Sequence, residues 1–176
     1  IPGSLPCPDR DNDGIAESSC SATSTTARLG RLPYKTLGIG ELRDASGELL
    51  WYGLSENFRN HTGKVSSDTQ GTLTVSGLTP ATNAVAVVLA PGTALGTQDR
   101  PGGANNAINY LEGINGDNVS VNNYELKAEK LILEPTDPPG TILFNDQLLV
   151  ITQQELLSAV EPVVAAARSG RPFLGI

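Results

Sequence analysis

The chain has 176 residues, of which 39% are hydrophobic and 18% charged, with a formal net charge of -7 at pH 7. This length suits one hydrophobic core, so we expect a single domain over residues 1–176. The negative charge and the lack of a basic cluster argue against nucleic-acid binding. No apolar run approaches the roughly 20 residues needed to span a bilayer.

An acidic loop, residues 7–20, lies near the start of the sequence and has aspartates at alternate positions. Its aspartates are followed by Gly14, as in the first half of a calcium-binding loop, where carboxylates turn inward and glycine allows a sharp bend. The predicted calcium ligands are the carboxylates of Asp9, Asp11, Asp13 and Glu17 and the carbonyl of Ile15. Cys20 stands where an EF-hand needs a bidentate glutamate, so the remaining ligands must come from water or from elsewhere. The alternative is a solvated turn without metal.

The two cysteines of the chain, Cys7 and Cys20, bracket this acidic loop. They predict one disulfide rather than a zinc site, because the chain lacks the further cysteines and histidines that would complete a zinc shell. A disulfide indicates an oxidising compartment, so we expect the protein to be periplasmic or extracellular. Closing so short a loop should contribute about 2–3 kcal/mol on the chain-entropy model.

The next segment predicts little regular structure before the first strand. After a small polar linker, residues 27–40 are expected to be irregular and pinned by the apolar side chains of Leu29, Leu32, Tyr34 and Leu37. A turn at Asp44–Gly47 is followed by the strand formers of Glu48–Ser55, which together predict a hairpin. The single histidine, His61, lies in a polar loop and is expected to be solvated rather than catalytic.

Two strands are clear in the middle of the chain. Thr72–Ser76 alternates with period two, which predicts a half-buried strand. Ala84–Ala90 is continuously apolar, which predicts a central strand covered on both faces, and residues 77–83 are long enough for an antiparallel return. The long loop Pro91–Asn106 that follows is either an exposed connection or a contact surface.

The later elements are shorter until the final helix. The expected order is a short helix at Ala104–Gly113, a turn at Asn115–Asn118, one or two strands within Val119–Glu134, and a pairing or bulged strand formed by Thr141–Phe144 and Leu148–Ile151. Thr152 and Glu155 form a capping box for a closing helix. Pro162 either kinks this helix or begins a second one. The domain thus divides into a disulfide-closed irregular part (1–47), a sheet region (48–151) and a C-terminal helix (152–169).

Catalytic motifs are absent from the sequence. It contains no nucleophile elbow, no phosphate-binding loop, no His-Glu-x-x-His pair and, once the disulfide is formed, no free cysteine. We therefore expect a protein that is not an enzyme.

Several stretches resemble the periplasmic part of type IV pilin-like proteins, the minor pilins and type II secretion pseudopilins. They are Gly3–Asp9 with Cys20, Gly30–Gly38, Asp44 with Gly47, Leu50–Tyr52, Val88–Gly92, Gln98–Arg100, Tyr110–Gly113 and Phe144–Thr152. The resemblance spans most of the chain. It implies an α+β domain whose mainly antiparallel sheet lies on a hydrophobic N-terminal helix, which anchors the subunit in the inner membrane and packs in the filament core.

The resemblance implies a structural subunit of a pilus or pseudopilus whose partners are other pilin or pseudopilin subunits. The N-terminal helix is missing from this sequence, so we expect the soluble domain to be monomeric or weakly associating. The alternative is a secreted calcium-dependent module that binds glycan or protein at the Pro91–Asn106 loop. An apolar stretch with a glutamate near its start, behind a short basic leader upstream of Ile1, would distinguish the two.

Overall fold

Helices and mainly antiparallel sheets combine in this protein, which confirms the α+β class. The computed structural model describes residues 3–20, 28–59, 65–100, 105–116, 122–127, 131–132 and 141–169. The strands among them are β1 Leu29–Arg31, β2 Trp51–Leu54, β3 Leu73–Gly77, β4 Ala81–Ala84, β5 Ala86–Ala90, β6 Asn123–Leu126, β7 Leu131–Ile132, β8 Thr141–Ile142 and β9 Gln147–Ile151. The helices are α1 Gly113–Gly116 and α2 Gln153–Ser169, and 3₁₀ turns cover Glu56–Phe58 and Ala107–Asn109. None of these helices is both long and apolar enough to cross a bilayer.

A four-stranded antiparallel sheet in the order β1-β2-β5-β9 forms the centre of the fold. Its strand β5 pairs with β2 on one side and with β9 on the other, so that Val87 lies between Gly53 and Val150. The predicted central strand is therefore confirmed. The apolar run of residues 84–90 nevertheless does not form one strand. Residues 81–84 form β4, which pairs with β3 in a second sheet, β4-β3-β6, and the chain passes into the central sheet at Val85.

Alternation along the strands divides the side chains of the central sheet between its two faces. The first face belongs to a cluster that we call the loop-side core, after the long loop that follows β5. It contains Leu29, Trp51, Leu73, Val75, Val87, Leu89, Tyr110, Leu111 and Tyr124. The opposite face belongs to the disulfide-side core, which contains Cys7, Cys20, Tyr52, Leu54, Phe58, Val85 and Ala86. The acidic loop is thus attached to one face of the sheet through its disulfide.

The expectation of an irregular segment over residues 27–40 was wrong in part. Leu29–Arg31 forms the edge strand β1, because it finds a partner in β2, and three residues are too few to show a periodic pattern in the sequence. Leu37 does not pin this segment, since its side chain is 40% exposed. The predicted turn is confirmed, with the Gly47 N–H donating to the Asp44 carbonyl at 3.0 Å.

Three further expectations need correction. The strands β8 and β9 do not pair with each other; β8 pairs with β7, and β9 pairs with β5, which has the longer apolar edge. The helix expected over 104–113 is only a 3₁₀ turn at Ala107–Asn109, although Tyr110 and Leu111 are buried as predicted. Of the turn expected over Asn115–Asn118, Asn115 lies instead in α1, where it is fully buried and hydrogen-bonded to Glu125 of β6, and residues 117–118 lie outside the described residues.

The closing helix α2 begins with the predicted capping box. The Thr152 N–H donates to Glu155 Oε2 at 2.8 Å, and the Glu155 N–H donates to Thr152 Oγ1 at 3.2 Å. The hydrogen bonds from Thr152 lower the pKa of the Glu155 carboxyl. Pro162 lies inside this one helix rather than at the start of a second. The prediction for His61 lies outside the described residues.

Candidate metal site

The acidic loop is closed by the Cys7–Cys20 disulfide, as predicted, with the two Cα atoms 5.7 Å apart. Within it, Asn12 and Gly14 have positive φ angles of 66° and 84°, which turn the backbone sharply. A Cβ on Gly14 would lie 2.6 Å from a ring carbon of Tyr34, so this position accepts only glycine. The disulfide, the two positive φ angles and the Tyr34 ring therefore all hold the loop in a tight turn.

Asp9 organises the loop from inside. Its side chain is buried, and its two carboxylate oxygens accept the N–H groups of Asn12 and Gly14, each at 2.7 Å. Burial raises the pKa of Asp9 above its ordinary value, the two N–H donors oppose that change, and the charges of Asp13 and Asp11 add to it. A cation beside Asp9 would remove the electrostatic cost of holding these charges together.

The three aspartates meet as the sequence predicted. One carboxylate oxygen from each of Asp9, Asp11 and Asp13 lies within 4.8 Å of those of the other two. Asp13 Oδ1 also accepts the Ile15 N–H at 2.7 Å, and Lys35 Nζ donates to the Asp13 carbonyl. A carboxylate oxygen that accepts one N–H keeps a second lone pair for a cation. The three residues therefore fit a hard divalent cation such as calcium.

Of the other two predicted ligands, the Glu17 carboxylate is not part of this group, and the Ile15 carbonyl stays a prediction. Glu17 Oε1 accepts the Arg10 N–H at 3.2 Å and lies 3.9 Å from Arg10 Nε. The Glu17 carboxylate is therefore paired with Arg10 and is not among the clustered carboxylates. Because Asp11 and Asp13 are exposed, water is able to supply the remaining ligands of an ion held by the three aspartates.

Residues 91–100 of the long loop are held inward through Arg100, which is 7% exposed. Its guanidinium donates to the carbonyl of Gly92 at 2.6 Å and to that of Tyr110 at 3.3 Å, and it lies 3.2 Å from the Glu48 carboxylate. The Tyr110 hydroxyl in turn donates to the Arg100 carbonyl at 3.1 Å. Residues 91–100 are therefore fastened to the loop-side core.

A small cleft lies between the acidic loop and the sheet. It has a volume of about 160 Å³ and is lined by Asp9, Arg10, Leu29, Gly30, Arg31, Trp51 and Asn105. At its floor the Arg31 guanidinium lies 4.2 Å from the Trp51 ring centroid and 4.0 Å from that of Tyr110, and its burial lowers the pKa of Arg31 to about 10. Small-molecule sites usually occupy roughly 300–1,000 Å³, so this cleft is too small for most substrates.

No family model, curated protein or solved structure matches this chain.

A second group of acidic residues is buried, and the sequence patterns did not predict it. Asp146 has no exposed surface, and it lies with Glu112 and Asn115 between α1, β6 and the start of β9. Residues 145–147 were interpreted as a link between two short strands. The available signal was the aspartate itself, which stands between the apolar runs 141–144 and 148–151, where a charged residue is unusual unless it has partners.

Proposed function

We propose that the chain is a non-enzymatic structural subunit, a minor pilin or pseudopilin, of a type IV pilus or type II secretion pseudopilus. In this proposal an N-terminal helix anchors the full-length protein in the inner membrane, and the domain lies in the periplasm or outside the cell. Other pilin or pseudopilin subunits are its partners. A calcium ion at Asp9, Asp11 and Asp13 orders the acidic loop and takes no part in a reaction.

The observation that carries this proposal is a partly uncovered face of the central sheet. Leu149 is 65% exposed. In β9 it alternates with Val150, which packs against the loop-side core, and its partner in β5 is Val88, which packs against the disulfide-side core. Leu149 therefore points to the disulfide-side face. Covering a leucine contributes about 1.5–3 kcal/mol, so an exposed one on a sheet face favours a partner.

The first described residues lie on the same face. Leu5 packs against the disulfide-side core, and its N–H donates to the Phe58 carbonyl at 2.7 Å. A helix that preceded them would enter the fold at this face, which is the one that leaves Leu149 exposed. This arrangement agrees with the sheet-on-helix packing of the pilin-like proteins that the sequence resembles.

The proposal is tested by photo-crosslinking in cells that express the full-length protein. A photoreactive amino acid at Leu149 should crosslink to the N-terminal helix of the same chain or to a pilin-type subunit, identified by mass spectrometry. Leu78 is the matched control, because it is 63% exposed and lies just after β3, in the other sheet. Equal crosslinking from both positions, or only to proteins unrelated to pilins, would contradict the proposal.

Two simpler observations decide the function as a whole. Deleting the gene should abolish surface filaments or secretion of a protein substrate, and the sequence upstream of Ile1 should contain an apolar stretch with a glutamate near its start. An intact filament and secretion phenotype, together with a typical cleavable secretory signal, would favour the secreted binding module instead.

A further inference from the structure

Two buried carboxyl groups bind each other's backbone at the edge of the loop-side core. Asp146 Oδ2 accepts the Glu112 N–H at 2.9 Å and Asn115 Nδ2 at 3.0 Å. Glu112 Oε2 accepts the N–H groups of Asn145 at 3.0 Å and Asp146 at 3.1 Å. These reciprocal bonds join residues 112–115 to the start of β9. Asp146 has no exposed surface and Glu112 is 9% exposed.

One oxygen of this pair is unsatisfied. Asp146 Oδ1 is buried and accepts no hydrogen bond from the described part of the chain. A buried oxygen without a partner is costly, and two ionised carboxylates in contact away from water are more costly still. A proton on Oδ1 removes both costs, because it converts the oxygen into a donor and leaves only one negative charge.

The cations on the surrounding elements are paired with other acids. Lys127, just after β6, lies 2.7 Å from the Glu125 carboxylate. Arg100 pairs with Glu48 at 3.2 Å. From the long loop, the group that contacts Glu112 is the neutral amide of Gln98, whose Nε2 donates to Glu112 Oε1 at 2.8 Å. Among the residues that the structure describes, a second negative charge on the pair therefore has no cation of its own.

We propose that Asp146 and Glu112 form a proton latch, in which Asp146 donates a proton from Oδ1 to the Glu112 carboxylate and loss of that proton to alkaline solvent releases residues 107–116 from β9. Burial, followed by the charge of Glu112, raises the pKa of Asp146 from 3.8 to about 8. Residues 107–116 include Tyr110, which holds Arg100 and hence residues 91–100. Opening the latch therefore loosens residues 91–100 as well, while the disulfide-side core stays folded.

The sign of the pH dependence follows from linkage. The native state keeps a proton that the unfolded chain loses near pH 4, so the unfolded state binds fewer protons between pH 4 and about 8. The contribution of Asp146 to the free energy of unfolding therefore falls as pH rises through that window. It becomes constant once the carboxyl of the native state has ionised. Ordinary paired carboxylates show the opposite sign.

The test compares the wild type with Asp146→Asn. An asparagine amide donates to Glu112, and its carbonyl accepts the same two N–H groups, but it has no proton to lose. Urea unfolding of both proteins is measured from pH 5 to 9.5. The unfolding equilibrium constant of the wild type, divided by that of Asp146→Asn, should rise about tenfold per pH unit up to about pH 8 and then stay constant. Asp68→Asn, at an exposed aspartate, is the control and should follow the wild type. A ratio independent of pH would overturn the latch.

A second measurement uses the wild type alone and stands even where the variant does not fold. The carboxyl carbon-13 shift of Asp146 should titrate with a midpoint near pH 8, whereas a midpoint near pH 4 would overturn the proposal. Hydrogen exchange should show the amides of Glu112 and Asp146 losing protection above that midpoint, after correction for base catalysis, while the amides of β2 keep theirs. Loss of protection in both regions together would indicate global unfolding and would likewise count against a latch.

Discussion

The acidic loop and the Asp146–Glu112 pair both bring carboxylates together, but in opposite surroundings. Asp11 and Asp13 are exposed, and Asp9 is the buried member of this cluster. Asp146 is completely buried and its partner nearly so. An exposed cluster is able to keep a hydrated cation, because water completes the coordination shell, whereas a buried pair has room for little more than a proton. Exposure to solvent therefore decides whether a cation or a proton offsets the repulsion between the carboxylates.

The two regions also differ in what closes them. The acidic loop is closed by a covalent bond between Cys7 and Cys20, which persists whatever the state of the carboxylates. The buried pair is closed by hydrogen bonds alone, and these depend on its protonation. We therefore expect mutations to have larger effects at the buried pair than at the acidic loop.

The largest effect is expected from Asn115→Ala in the buried region. The Asn115 side chain donates to the Glu125 carbonyl at 2.9 Å and to Asp146 at 3.0 Å, and accepts the Glu125 N–H at 2.8 Å. Leaving these buried groups without partners should lower the free energy of unfolding by about 3–5 kcal/mol, measured by urea denaturation. Asn57→Ala, which removes one exposed hydrogen bond to Gln70, should cost less than about 1 kcal/mol. Equal losses in the two variants would remove the distinction between the regions.

An intermediate effect is expected from removing the disulfide. Replacing Cys7 and Cys20 by alanine should lower the free energy of unfolding by about 3 kcal/mol, because the 13-residue separation is no longer constrained in the unfolded chain. The loss should be larger in chelator than in calcium, since both the bond and the ion order the same loop. Intact-mass measurement after thiol labelling in denaturant provides the check on the bond, and two labelled cysteines in unreduced protein from an oxidising compartment would refute it.

The smallest effect is expected from calcium. At calcium concentrations of about 10 to 100 times the dissociation constant, binding should raise the free energy of unfolding by about 1–3 kcal/mol, with a weaker response to magnesium. Replacing Asp11 and Asp13 by asparagine should abolish the response, whereas the control Asp68→Asn should keep it. Thermal melts and calorimetry test this prediction. Identical midpoints in calcium, magnesium and chelator would leave only a solvated turn.

Much of the fold was predictable where a pattern is local. The alternation in residues 72–76, the apolar run ending at Ala90 and the capping box of Thr152 and Glu155 all formed the expected elements. The disulfide was predictable because the chain offers only one pair of cysteines. The aspartate cluster was predictable as well, because its three members are two residues apart in one loop.

Elements defined by distant partners were not predictable in the same way. The three residues of β1 show no period of their own and become a strand only by pairing with β2, about 20 residues later. Residues 141–151 were assigned to one pairing or one bulged strand because they are neighbours in sequence, yet β8 and β9 join different sheets. Each of these pairings depends on a partner strand that the segment itself does not encode.

The sequence by itself determined the local features of this protein: the spaced aspartates, the glycine turn, the single disulfide and the capped helix. Each depends on atoms within about a dozen residues of one another, so short-range geometry decides it. Only the tertiary structure decided that Asp146 is buried against Glu112, since 33 residues separate Glu112 from the Asn145 N–H that its carboxylate binds. Burial and the approach of a second charge are properties of the packed chain, and it is they that give an ordinary aspartate an unusual pKa.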